Sequence, residues 1–398
     1  MTKVFLPQGY RFAGVHCGLK SEPNLLDLSL VVSDFPATVA GVYTRNLVCG
    51  AAVQVDRSRT PGTGFKAMVA NSKVANDCTG EQGYRDALEM TKLAAHYAGA
   101  EPDKALVMST GVIGVTLPMD KVRAGIADAA GQLASDEESF MRAARGIMTT
   151  DTVEKTASRQ ITFQDGTVIS LAGFCKGAAM IAPNMRTMLA MIMTDAALAP
   201  ETAQQLLNEA VEESFNCISV DGHTSPSDTV LLFANGAASS EPQSKDCEKC
   251  ADALREICIE LAIKIPSDGE GVSHLIAIDV QGCRTREDAK KIARQVAEDV
   301  LVKTAIYGAD PNWGRIVSAM GSAGVQFDLM KVSLQLIGFD LFQNGEPLPF
   351  DKSMVADSIR KNRDTHFLLT LQEGDAAIRF WTTDLTTEYV RLNSDYTT

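Results

Sequence analysis

Hydrophobic positions along this chain come in short runs between polar turns, and the spacing within each run decides which element it predicts. Residues 26–34, 37–44, 51–57 and 66–71 are β-rich apolar runs and predict strands. Asn71 to Gly80 reads as a polar loop. Ala87, Leu88, Leu93 and Ala94 fall at helical spacing and predict a helix over 84–99. Ala105 to Met108 is an apolar strand that runs into Ser109-Thr110-Gly111 and then Gly114. A strand ending in small residues either turns its backbone N–H groups outward as an anion site or makes a plain tight turn. Helices are predicted over 119–133 and 136–148, and a hairpin over 160–164 and 167–174 about Asp165-Gly166. Further on, 201–215, 248–264 and 286–303 predict helices; 229–234, 274–281, 325–337, 366–372 and 375–383 predict strands. Residues 237–247 read as a mobile surface loop, and 266–271 and 310–315 as turns.

One stretch organises the rest. Lys176 and two small residues lead to a Pro-Asn turn, and Thr187 then opens an apolar run through Met188, Leu189, Met191, Ile192 and Met193. Such a threonine is either the N-cap of a core helix or a nucleophile held at the mouth of a buried element. Upstream, Thr149-Thr150-Asp151-Thr152 gathers three hydroxyls and a carboxylate, which cap a helix or bind a polar substrate. Strands and helices are mixed without the regular alternation of a doubly wound sheet, so the expected fold class is layered α+β, with helices packed on sheets.

Composition narrows the function. The 398 residues are 45% hydrophobic and 22% charged, with a net charge of -13. An acidic balance argues against nucleic acid or an anionic membrane as partner. No run is long and apolar enough for a membrane helix, and the start lacks a signal or transit pattern, so a cytoplasmic protein is expected. Nine scattered cysteines suit free thiols. Cys247 and Cys250 form a lone CxxC and read as surface helix residues; with no second pair and no HxxxH or HExxH, no metal site is expected. No phosphate-binding glycine motif is present, and no cofactor is expected.

KGAAMIAPNMRTML, STGVIG, IMTTDT, the DGHTSPSDTVLLFANG segment, SDGEG, DPNWGR and DLTTEYVRLNSDYTT together resemble the motifs of the ornithine acetyltransferase (glutamate N-acetyltransferase) family, in its order and spacing over nearly the whole chain. That resemblance implies an N-terminal-nucleophile-like fold and a precursor that cuts itself at Arg186–Thr187. The products would be an alpha chain, 1–186, and a beta chain, 187–398, that stay folded together. It implies Thr187 as nucleophile, Thr110 and Gly111 as oxyanion-hole donors, and Thr150, Lys176, Thr187, Glu270, Asn393 and Thr398 as substrate contacts. The implied reaction carries acetyl to glutamate, either from N2-acetylornithine alone or from acetyl-CoA as well, in a heterotetramer of two alpha and two beta chains. An amidase or aminopeptidase using the same threonine, and an unprocessed amino-acid-binding homologue, are the competing readings. The chain departs from the family pattern at Arg186, where the family has alanine, at Ala178-Ala179, at His223 and Pro226-Ser227, and within 71–80.

Overall fold

The structure, a computed structural model, describes residues 3–180, 188–238, 242 and 244–395, so Arg186, Thr187 and Thr398 lie outside it. The fold divides into two compact units, one built from Met1–Asn216 and Thr224–Ile265, the other from Cys217–His223 and Pro266–Thr397.

The first unit contains, in chain order, β1 (Tyr10–Val15), β2 (Leu28–Tyr43), α1 (Ala51–Arg57), β3 (Gly62–Asn71), α2 (Gly80–Tyr97), β4 (Ala105–Ser109), α3 (Met119–Gly131) and α4 (Glu137–Gly146). There follow β5 (Lys155–Thr162), β6 (Val168–Lys176), β7 (Leu189–Thr194), α5 (Pro200–Glu213), β8 (Thr229–Ala234) and α6 (Ser244–Ser267). Its sheet has the order β4-β3-β2-β8-β7-β6-β5, with β1 also paired to β2. Strand alternation sends β2 side chains to both faces. Leu28, Leu30 and Val32 join α1, α2 and α3 in one core, while Val31, Ala37 and Val39 join α4 in another. In the second core Phe140 stands edge-on to Phe12 at 5.3 Å and to Phe174 at 5.7 Å. Such ring pairs add roughly 0.5–1.5 kcal/mol each beyond area burial.

The second unit contains β9 (Leu275–Cys283), α7 (Arg286–Glu298), α8 (Val300–Tyr307), α9 (Trp313–Gly321), β10 (Ser333–Leu336), β11 (Phe339–Gln343) and β12 (Glu346–Pro347). It ends with α10 (Lys352–Lys361), β13 (Asp364–Thr370), β14 (Ala376–Thr383) and α11 (Thr387–Asp395). Its sheet runs β12-β11-β10-β13-β9-β14, with β13 parallel to β9. The layered α+β class expected from the sequence is the observed one.

Several elements differ from expectation, each for a physical reason. The apolar run after Thr187 is β7, a strand buried on both faces between β6 and β8, not a core helix. A fully buried strand loses the period that would mark it. The 51–57 run is helix α1, although Val53-Gln54-Val55-Asp56 alternates like a strand. Its Asp56 is wholly buried and accepts the outward N–H of Val107, 3.0 Å, while Arg59 donates to the Ala105 carbonyl, 2.7 Å. These two side chains satisfy the outer edge of β4 where another strand would. Burial pushes the Asp56 carboxyl well above its usual range.

The expected 286–303 helix is two, α7 and α8, because Asp299 is extended (φ -70°, ψ 117°) and its side chain caps the Val302 N–H. The 310–315 turn opens α9, capped by Asn312. Of the expected 325–337 strand only Ser333–Leu336 is extended, and α10 was not legible. Part of the 237–247 loop belongs to α6, which also holds the CxxC; there Cys250 is buried rather than on the surface.

Candidate active site

The end of β4 is bedded on the loop that follows β3. Thr110 N–H donates to Asn71 O at 3.1 Å, Val112 N–H to Lys73 O at 2.9 Å, and Gly114 N–H to Asp77 O at 2.9 Å; Ala75 N–H returns a bond to Val112 O at 3.0 Å. Asn71 also accepts from the Ser109 hydroxyl at 2.7 Å. The loop read as merely polar is therefore buried, with Asn71, Ser72 and Asn76 all at 0% exposure. Gly111 sits at φ +132°, and a Cβ there would lie 2.1 Å from the Lys73 carbonyl carbon. Only glycine fits this bend. Its N–H has no hydrogen-bond partner among the described residues. The Thr110 N–H is consumed by Asn71, so the donor Thr110 can offer is its hydroxyl.

A second cluster joins the turn after α4 to the end of β6. Asp151 is buried and accepts from Lys155 Nζ at 2.7 Å, from Gly177 N–H at 2.7 Å and from Thr149 N–H at 3.0 Å. Lys176, 6% exposed, donates to the Thr149 hydroxyl at 3.3 Å. Burial alone would raise the Asp151 pKa, but Lys155 and Lys176 outweigh it and hold the carboxyl below its usual range. Lys20 completes the group by donating to the carbonyls of Leu26, 2.7 Å, and Met148, 2.8 Å. Lys155, Lys176 and Lys20 thus gather three ammonium groups about the carboxylates of Asp151, Asp27 and Glu22. Thr150 is half-buried beside this group. Ala178 and Ala179 have negative φ, so alanine costs nothing there; the positive φ falls on Met180 (+59°).

In the second unit, Glu270 accepts from Asn393 Nδ2 at 2.9 Å. The contact depends on how α11 is seated. Gly271, at φ +64°, lies so near Tyr389 N that a Cβ would come within 2.6 Å of it. The Thr386 hydroxyl donates to Gly271 O at 2.6 Å, and the Tyr389 hydroxyl donates to Asp221 at 3.1 Å. Burial, then the Asp221 charge, pushes the Tyr389 hydroxyl pKa up.

The structure thus brings Lys176 to Thr149, the chain neighbour of Thr150, and Glu270 to Asn393, and sets the adjacent Thr110 and Gly111 in one bend. Arg186, Thr187 and Thr398 lie outside the described residues. Lys155, Asp77 and Tyr389 were not found from the sequence; the carboxylate among three threonines at 149–152 was the available signal for the lysine cluster. A cavity of ≈ 580 Å³ lined by Cys49, Gln54, Asn76, Cys78 and Tyr84, among others, contains none of the expected residues. Among the described residues no cluster of His, Cys, Asp and Glu could hold a metal ion, and no helix is long and apolar enough to cross a membrane.

Comparison with known proteins defines the class. The ArgJ family model matches residues 11–398. The arginine biosynthesis bifunctional protein ArgJ of Rhodopirellula baltica is 44% identical over 401 residues, covering 100% of this chain and 97% of that protein. That of Symbiobacterium thermophilum is 43% identical over 399 residues, covering 99% and 98%. Among solved structures, ornithine acetyltransferase from Mycobacterium tuberculosis, complexed with ornithine, is 35% identical and covers 45% of this chain and 93% of its own at a TM-score of 0.42. The chain is an acyltransferase of amino-acid biosynthesis. It belongs to the ArgJ family, whose curated members are bifunctional proteins of arginine biosynthesis.

Proposed function

We propose that this chain is a self-processing glutamate N-acetyltransferase that moves acetyl from N2-acetylornithine to L-glutamate through an acetyl-threonine. The observation that carries the reading is the Gly111 N–H, which has no hydrogen-bond partner among the described residues and is held at a bend only glycine can adopt, in a chain that matches the family from residue 11 to 398. Cleavage at Arg186–Thr187 gives chains 1–186 and 187–398. The sheet explains how they remain together: β6 precedes the cut and β7 follows it, and the two are paired antiparallel from Leu171↔Thr194 to Lys176↔Leu189.

A threonine hydroxyl is a weak nucleophile, and the α-amine freed by cleavage, with a pKa near ~8, takes its proton. The oxygen attacks the acetyl carbonyl. The tetrahedral oxyanion receives the Gly111 N–H and the Thr110 hydroxyl, a good donor being worth roughly 3–4 kcal/mol. Collapse expels the α-amine of ornithine, which takes the proton back, and leaves acetyl on Thr187. The glutamate amine then attacks the same carbonyl, loses a proton and regenerates the threonine. Lys176 and Thr150 bind the carboxylate side of the amino acids, and Glu270, oriented by Asn393, the δ-ammonium of ornithine; Thr398 is a further contact.

The test incubates the purified protein with acetyl-labelled N-acetylornithine, with and without glutamate. Label on glutamate supports the reading. Free acetate as the main product would support a hydrolase, and binding of the ligand by an uncut chain without turnover a non-catalytic homologue. The relatives are named bifunctional, so acetyl-CoA is included as a second donor. Native mass of the processed protein tests the expected heterotetramer, and cell fractionation the cytoplasmic location.

A further inference from the structure

Both segments that depart from the family pattern near the site, 71–80 and the approach to β8, meet through their side chains. Ser227 Oγ donates to Asp77 Oδ2 at 2.5 Å. Asp77 is 1% exposed and Ser227 7%. The Asp77 backbone carbonyl holds Gly114, so one residue contacts the oxyanion loop through its main chain and the β8 approach through its side chain. Two residues past Ser227, Thr229 N–H donates to Met188 O at 3.0 Å, which opens the parallel pairing of β7 with β8. Met188 is the residue next to Thr187 in the chain.

The surroundings of Asp77 are shaped to keep this carboxyl. A Cβ on Gly50 would fall 1.9 Å from Asp77 Oδ1, so glycine is needed there, and Gly50 N–H itself donates to Pro226 O at 3.0 Å. Oδ1 has no hydrogen-bond partner among the described residues. Burial pushes the Asp77 pKa up to about 7, against the pull of the Ser227 bond. A buried carboxyl held by one side-chain bond is unfavourable for folding and calls for another reason to be retained.

We propose that the Asp77–Ser227 bond ties the oxyanion loop to the approach to β8, which anchors Met188, the chain neighbour of the nucleophile, making both residues positioning residues for acetyl transfer. This rests on the assignment above of Thr110, Gly111 and Thr187. Four backbone bonds hold 110–114 to 71–77, and the Asp77 side chain then fixes that bed to the segment that anchors Met188. Neither residue is assigned a substrate contact. Loss of the tie therefore lowers kcat and leaves KM unchanged.

The test is a double-mutant cycle on the processed enzyme with Asp77→Ala, Ser227→Ala and the pair, with Asp77→Asn as the conservative variant that keeps an acceptor oxygen. Each single alanine variant is expected to lower kcat about 10- to 100-fold, the range for an ångström-scale misplacement. KM for both substrates should stay within about twofold. The double variant should be no slower than the worse single, and Asp77→Asn should recover most of the loss. Amide exchange at Val112 and Gly114 is read in the same proteins and needs no turnover; it should accelerate in the alanine variants and recover in Asp77→Asn. Unchanged exchange, additive kcat losses, or a KM increase with kcat intact would each overturn the tie. If the unsubstituted protein does not transfer acetyl, the acetyltransferase reading fails on its own, and amide exchange still decides whether the tie exists.

Discussion

Substituting Gly111 by alanine would place a Cβ 2.1 Å from the carbonyl carbon of Lys73 and 2.6 Å from the nitrogen of Val74. Carbon atoms in contact need about 3.5–4.0 Å, so the loop has to yield by roughly 1.5 Å. The neighbour is backbone, bonded to Val112 and Val74, and no rotamer change relieves the clash. The conformation at φ +132° adds roughly 1–3 kcal/mol of strain for an L side chain. The N–H of residue 111 then moves off the oxyanion position, and loss of one such donor costs about 10²–10³ in kcat, or roughly 2.7–4 kcal/mol. The assay measures kcat and KM for acetyl transfer in Gly111→Ala, with urea unfolding to show that the variant is folded. Thr110→Val, which keeps shape and removes the hydroxyl, serves as the comparison. KM should stay within about threefold, because the interaction forms only in the transition state. A folded Gly111→Ala that turns over at the unsubstituted rate would refute the oxyanion assignment.

Three further outcomes are expected. Lys176→Met should raise KM for the amino-acid substrates by about 10- to 100-fold, the cost of one charge-assisted contact of roughly 1.5–3 kcal/mol, and steady-state kinetics checks it; an unchanged KM would remove Lys176 from the substrate contacts. Lys155→Met leaves Asp151 buried without its 2.7 Å partner and should cost roughly 3–5 kcal/mol near neutral pH. The folded pKa of Asp151 is depressed, so its stabilising contribution is present above the unfolded value of about 3.9 and lost as pH falls through the folded one. The stability gap between the two proteins should therefore narrow on acidification, and a gap constant with pH in urea titrations would contradict the ion pair. Phe140→Ala, which removes the ring packed on Phe12 and Phe174, should cost about 3–5 kcal/mol in the same measurement.

Most of the fold was legible, both where an element shows one face to water and where, as in β4 and β8, a short apolar run is bounded by turns. Helices α2 to α5 and strands β3, β4, β6, β8, β9, β13 and β14 lie where spacing put them, within a few residues. Two elements were ambiguous for different reasons: β7, buried on both faces, has no polar alternation, and the Ala-rich α1 presents Val53 and Val55 like a strand. The break between α7 and α8 rests on a single capping aspartate, Asp299, that reads equally well inside a helix. At the site, motif residues could be named, but not the atoms they offer. Only the Asn71 bond shows that the Thr110 N–H is already used. Lys155, buried in a strand that reads as polar, becomes visible once Asp151 is seen to accept from it.

The most direct measurement is the intact mass of the purified protein under denaturing conditions, after brief incubation with N-acetylornithine and no glutamate, with the N-terminus of each species read. The expected result is two fragments, one beginning at Thr187 and carrying one added acetyl group that disappears when glutamate is supplied. A single uncut chain of 42.7 kDa without acetyl would contradict the account, and Arg186→Ala would then show whether the cation before the threonine blocks cleavage.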